Sequence, residues 1–120
     1  MMEQADPDRR RSLRYAIRHQ VEGASQDRRI GFRGILHNLS ASGCGLHLDR
    51  PLPLGTSIEF RCNINGIGLA VRGRTVWTAA ALGGILHGVV VSGYGSDQDA
   101  LFHRLYLNHL ARRSSASPAA

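Results

Sequence analysis

The chain contains no lysine: all 15 of its basic residues are arginine, set against 9 acidic residues, for a formal charge of +6. A positive balance makes it attractive to anions. Arginine meets them with a planar fork of donors that fits a phosphate or a guanine edge bidentately. GC-rich coding produces the same bias, so only the positions of the arginines carry a functional argument. Cysteine is nearly absent as well. Cys44 and Cys62 stand apart in alternating apolar stretches with no C-x-x-C pair, which argues against a zinc site and fits reduced thiols in a cytoplasmic protein. No stretch reaches the roughly 18 apolar residues of a membrane-spanning helix. The start, Met1 to Asp8, is polar and acidic and lacks the apolar centre of a secretion signal, so a soluble, cytoplasmic protein is expected. Six histidines are present (His19, His37, His47, His87, His103 and His109), but they are scattered, with no H-x-x-x-H pair and no acidic third ligand at metal spacing. They read as surface or strand residues, and no metal is expected. Nor is there a G-x-S-x-G, a P-loop or a carboxylate pair, so no catalytic residue is assigned and no enzyme is expected.

A length of 120 residues supports one domain with one core. Its interior alternates. Ile58, Phe60, Cys62 and Ile64 share one face while Glu59, Arg61 and Asn63 take the other, the pattern of a half-buried strand. The stretch from Gly68 to Trp77 reads as another strand, turning at Gly83-Gly84 into the β-prone run Ile85 to Val91. Tyr15 to Glu22, Gly31 to His37 and Gly45 to Asp49 bring the estimate to about six. Short strands separated by frequent turns point to a sandwich or closed barrel. Only one segment has helical spacing: after Ser96-Asp97, Leu101, Phe102, Leu105, Tyr106 and Leu110 recur at three- and four-residue steps, predicting a helix over about 97–111. Residues 1–8 read as a disordered lead-in and 112–120 as a disordered tail, leaving the domain at 9–111 with the barrel at about 15–93.

Two local features carry chemistry. Arg9, Arg10, Arg11 and Arg14 cluster just before the first strand, where guanidinium groups repel one another unless an anion joins them. On charge alone the cluster is equally a solvated basic tail or a nonspecific nucleic-acid patch. Between two strands lies Asn38-Leu39-Ser40-Ala41-Ser42-Gly43, which combines an amide, hydroxyls and a glycine that lets a ligand approach the backbone. Taken alone this is also an ordinary turn.

Together the two features resemble the PilZ domain family, whose signature is R-x-x-x-R followed by [DN]-x-S-x-x-G. Arg10 and Arg14 fill the first element; Asn38, Ser40 and Gly43 fill the second. The likeness continues through Gly73-Arg74-Thr75-Val76-Trp77 and Gly88-Val89-Val90-Val91 and covers roughly residues 9 to 110. The resemblance implies a six-stranded antiparallel β-barrel, mainly all-β, with a C-terminal α-helix, and cyclic di-GMP as ligand. Arg10 and Arg14 would meet guanine O6 and N7 and the phosphates. Asn38 would meet the guanine N1 or N2 edge, Ser40 a phosphate or its own loop, and Gly43 would leave room for the purine. An arginine ahead of the first motif is similar to members that hold two stacked ligand molecules, so Arg9 implies an intercalated dimer. The family's usual aromatic at the end of the last strand is replaced by Val91. Trp77 reads as a barrel-rim or core aromatic, and Arg72 and Arg74 as a solvated strand face.

The expected mechanism is a switch. The arginine loop gains partners only when cyclic di-GMP orders it, and the rearranged surface is then recognised by an unidentified downstream protein. Two other readings stand beside it. A small basic barrel can bind single-stranded nucleic acid, although aromatics make up only 6% of the chain and the arginines cluster ahead of the barrel. A PilZ scaffold without ligand is the other, against which the intact motif positions argue.

Overall fold

The computed structural model describes residues 14–116, and within them the alternation of the sequence is realised strand by strand. The six strands are β1 (Tyr15–Ser25), β2 (Gly31–Leu39), β3 (Gly43–Leu48), β4 (Ser57–Ile64), β5 (Ile67–Ala81) and β6 (Gly84–Tyr94). On β4, Ile58, Phe60, Cys62 and Ile64 are buried while Arg61 and Asn63 face solvent. All neighbours pair antiparallel, and the order β1-β2-β3-β6-β5-β4 closes into a barrel. Closure depends on the crossover after β3, which carries the chain past β6 and β5 so that β4 pairs with β1, Val21 opposite Cys62. The interior is filled by Leu36, Leu46, Leu48, Phe60, Ile64 and Leu69, all almost fully buried. Each such side chain contributes about 1.5 to 3 kcal/mol by leaving water. Cys44 and Cys62 lie in the same interior as free thiols. Burial pushes both up to about 12, so the reactive thiolate is suppressed and the two act as packing groups.

One helix, α1 (Asp97–Ala116), follows the barrel. Ser96 caps it, its Oγ accepting the Asp99 N–H at 3.1 Å, and Asp97 and Asp99 complement the positive end of the helix dipole. Its inner face buries His103 and Leu110 and lays Phe102, Tyr106 and Leu107 against the core. The helix runs five residues beyond its expected end, through part of the segment read as a tail. The reason is local: no glycine or proline occurs from Ala111 until Pro118, and Arg113 in the last turn suits the negative end of the dipole.

His103, on the helix, corrects the expectation of surface or strand positions, and His87 meets it as a strand residue turned inward. His87 and His103 are almost wholly inside. His87 is held as a neutral ring: Nδ1 donates to the Ile85 carbonyl at 3.1 Å and Nε2 accepts the Leu52 N–H at 3.0 Å. Burial lowers the pKa of both below the usual 6.5, against a small upward pull from the backbone of Ile85 and Ser40 respectively. Above that value neither folded nor unfolded chain holds the proton. Below it the unfolded chain takes up protons that the folded chain refuses. Stability therefore falls as pH drops below 6.5, by up to about 1.4 kcal/mol per pH unit for each histidine. Thermal midpoints recorded from about pH 8 down to about pH 5.5 will show this decline; a flat profile would contradict it.

Candidate functional site

The second half of β2 departs from regular pairing, and the departure builds the site. Leu36 pairs with Leu46 and Asn38 with Gly45, so His37 is an extra residue on β2. Such a bulge turns neighbouring side chains to one face. A Cβ placed on Gly45 would lie 2.7 Å from both Asn38 Nδ2 and His37 Nε2, so both side chains lie across the bare backbone of Gly45. Gly45 pairs in turn with Gly88 on β6, and Gly88 with Trp77 on β5. A Cβ on Gly88 would lie 2.0 Å from the indole Nε1; Trp77 therefore rests on Gly88 and keeps 42% of its surface exposed. The result is an outer face running Asn38, Gly45, Gly88, Trp77, on the order of 14 Å wide from three strand spacings, with a glycine floor between an amide and an indole. Trp77 is thus not a core aromatic: the missing side chain at Gly88 gives its ring a place on the outer surface.

Arg14, at the entrance to β1, joins this face. Its Nη1 donates to Asn38 Oδ1 at 3.1 Å across 24 residues of sequence. Asn38 Nδ2 lies 3.3 Å from His37 Nδ1, which makes Nδ1 the acceptor and leaves the proton on Nε2. That nitrogen is buried with no hydrogen-bond partner. Burial, then the charges of His47 and Arg14, lower the His37 pKa, keeping the ring neutral near pH 7. Ser40 works differently. Its N–H and Oγ both donate to the Gly43 carbonyl, at 2.9 and 3.1 Å, and Oγ accepts the Gly43 N–H at 3.1 Å. With 1% of its surface exposed, Ser40 braces the loop and has no open hydroxyl to offer a phosphate.

The structure thus brings Arg14 and Asn38 into contact and places Ser40 and Gly43 in one braced turn beside them. Arg9 and Arg10 lie outside the described residues. Arg72 and Arg74 are exposed, as expected; Arg74 pairs with Val90, which pairs with Gly43, so it stands at the side of the face. His37 is the contributor that reading along the chain missed; Trp77 was read there as a rim or core aromatic in preference to a ligand-stacking one. The available signal was two glycines inside strands, which mark a close approach of other groups to the backbone. Among the described residues, no group of three or more His, Cys, Asp or Glu could hold a metal ion, and no helix is long and apolar enough to cross a membrane.

No curated protein matches the chain, but solved structures share its fold. The PilZ domain of CeSA from a cellulose-synthesizing bacterium matches with a TM-score of 0.65 and 22% identity over 83% of this chain and 99% of that one. The PilZ domain with c-di-GMP of YcgR from Escherichia coli gives 0.69 and 17%, over 92% and 98%. The Bacillus subtilis inhibitor of motility MotI/DgrA gives 0.72 and 14%, this chain spanning 53% of its length. The family model described as the PilZ domain matches residues 8–107, and this span contains both sequence elements and all six strands of the barrel: the chain belongs to the PilZ domain family.

Proposed function

We propose that the chain is a receptor for cyclic di-GMP that acts by binding rather than catalysis, and that its occupied face is read by a partner protein. The observation that carries this is the contact of Arg14 with Asn38 beside a glycine floor. In the free chain these two groups satisfy each other. A guanine offers both better partners: its O6 and N7 accept a guanidinium fork, and its N1 and N2 edge donates to the Asn38 carbonyl oxygen. The flat floor at Gly45 and Gly88 admits a purine, and Trp77 supplies a stacking surface at its border. Membership of the PilZ family and the c-di-GMP named with the YcgR structures support the same ligand. Arg10 completes the first motif and brings a second guanidinium to the phosphates, while Arg9 favours a second, stacked ligand molecule. Binding thereby gathers the arginine segment onto the barrel, and the new surface is the signal.

Isothermal titration calorimetry of the chain with cyclic di-GMP, with single-stranded DNA as control, tests the reading. Saturable binding to the dinucleotide, with a stoichiometry near two, is the expected result. Salt-sensitive binding to DNA alone would replace it with the nucleic-acid reading, and silence with both would leave a scaffold. A second expectation follows from the exposed indole. Trp77 is the only tryptophan, so saturating cyclic di-GMP will shift or quench the intrinsic tryptophan emission, and Trp77→Ala will weaken binding by about 1 to 3 kcal/mol. An emission spectrum indifferent to ligand that is otherwise bound places the purine away from Trp77.

A further inference from the structure

Arg14, Asn38 and His37 form a hydrogen-bond chain with one direction. Arg14 Nη1 donates to Asn38 Oδ1 at 3.1 Å, and Asn38 Nδ2 donates to His37 Nδ1 at 3.3 Å. A half-turn of the Asn38 amide would exchange its oxygen and its NH2 with almost no change of shape, so only its partners can hold it one way round. Turned over, it would set donors against the Arg14 donors and its oxygen against the Nδ1 lone pair. Two groups therefore fix the amide in the free chain, and Arg14 is the one that a bound guanine draws away. His37 is the one that stays. Its ring lies across Gly45, where a Cβ would stand 2.7 Å from Nε2 and 2.9 Å from Cε1. Its Nε2 is sealed from solvent with no hydrogen-bond partner, and an unpaired buried N–H is a cost that an apolar ring would avoid. What the imidazole supplies in return is the acceptor at Nδ1.

We infer that His37 is a positioning residue that sets base specificity: by taking a hydrogen bond from Asn38 Nδ2 it keeps Oδ1 as the group presented to a ligand. An oxygen there accepts from the N1–H and N2–H donors of guanine. The same oxygen opposes the N1 lone pair of adenine, which needs a donor in that place. Specificity of this kind is a difference between two affinities, and a fixed polar group enlarges it because the wrong base leaves that group unpaired. The specificity part of the inference rests on the cyclic di-GMP reading; the hold of His37 on the Asn38 amide does not.

The first arm needs no ligand. Nitrogen NMR of the parent chain near neutral pH is expected to find the His37 proton on Nε2 and the lone pair on Nδ1; the reverse tautomer overturns the inference, because Nδ1 could not then accept from Asn38. The second arm titrates the parent, His37→Leu and His37→Gln with cyclic di-GMP and with cyclic di-AMP. Leucine fills the space without an acceptor, whereas the glutamine Oε1 can accept from Asn38 Nδ2. His37→Leu is expected to bind cyclic di-GMP about tenfold more weakly and cyclic di-AMP no more weakly than the parent, so that the preference for guanine falls about tenfold. His37→Gln is expected to recover most of that preference. A loss shared equally by the two dinucleotides, or equal behaviour of leucine and glutamine, overturns the inference by making His37 a packing residue alone. Parent binding to cyclic di-AMP as tight as to cyclic di-GMP does the same for specificity. If the parent binds neither dinucleotide, the ligand reading falls and takes base specificity with it, while the tautomer still decides whether His37 holds the Asn38 amide.

Discussion

Arg14→Ala is expected to weaken cyclic di-GMP binding at least about tenfold while leaving the thermal midpoint nearly unchanged. The two halves of the expectation have separate causes. Arg14 is exposed, and among the described contacts its side-chain hydrogen bond is to Asn38, so its removal costs the free fold little. In the proposed complex the same guanidinium would make charge-assisted bonds to a guanine edge or a phosphate, each contributing about 1.5 to 3 kcal/mol, or roughly one to two powers of ten in affinity. Arg14→Lys separates charge from shape. It keeps the cation and loses the planar fork, so most of the loss is expected to persist. Titration calorimetry on the three chains at one ionic strength reads the result. Equal affinity in Arg14→Ala would remove the Asn38 face from the ligand site, and full recovery by lysine would show that charge alone is recognised.

Both the barrel and the two halves of this site were legible in the sequence, for local reasons. Alternation such as Ile58 to Ile64 marks a strand whatever surrounds it, and a glycine pair such as Gly83-Gly84 marks the turn after it. Arg14 and Asn38 were paired through their motifs, and the barrel brings them to 3.1 Å because Tyr15 and Leu39, their chain neighbours, are register partners. What escaped sequence reading depends on residues far along the chain. The extra residue at His37 has no local signature; it exists because Asn38 must meet Gly45 while Leu36 meets Leu46. Trp77 finds its place through Gly88 on the next strand. His87 and His103 are polar and yet buried because Leu52 and Tyr94, 35 and 9 residues away, supply their partners. Polar burial of that kind is decided by tertiary partners and leaves no pattern in composition.

Gly34→Ala tests the frame on which these placements depend, and it is expected to be among the most destabilising single-methyl changes in the chain. Gly34 lies in β2 between Val21 of β1 and Leu48 of β3. A Cβ there would stand 1.9 Å from the His47 carbonyl oxygen and 2.9 Å from Leu48 Cα. Both are backbone atoms of a strand held on its other side by β6, so no side-chain rotation relieves the clash; β2 and β3 must separate. Overpacking against backbone costs about 3 kcal/mol or more, which corresponds to a thermal midpoint about 15 °C lower in a domain of this size. Gly68→Ala is the matched control. A Cβ at that position would meet Arg61 Nη1 alone, at 3.6 Å, an ordinary contact with the end of a flexible side chain. Alanine also restricts the unfolded chain there, so the control is expected to be neutral or more stable by a few tenths of a kcal/mol. Thermal or urea denaturation of both variants beside the parent chain measures the difference. Near-equal midpoints would mean that β2 and β3 tolerate a wider spacing, and the Asn38–Gly45 pairing that builds the proposed ligand face would then owe its geometry to the bulge at His37 rather than to the ladder beneath it.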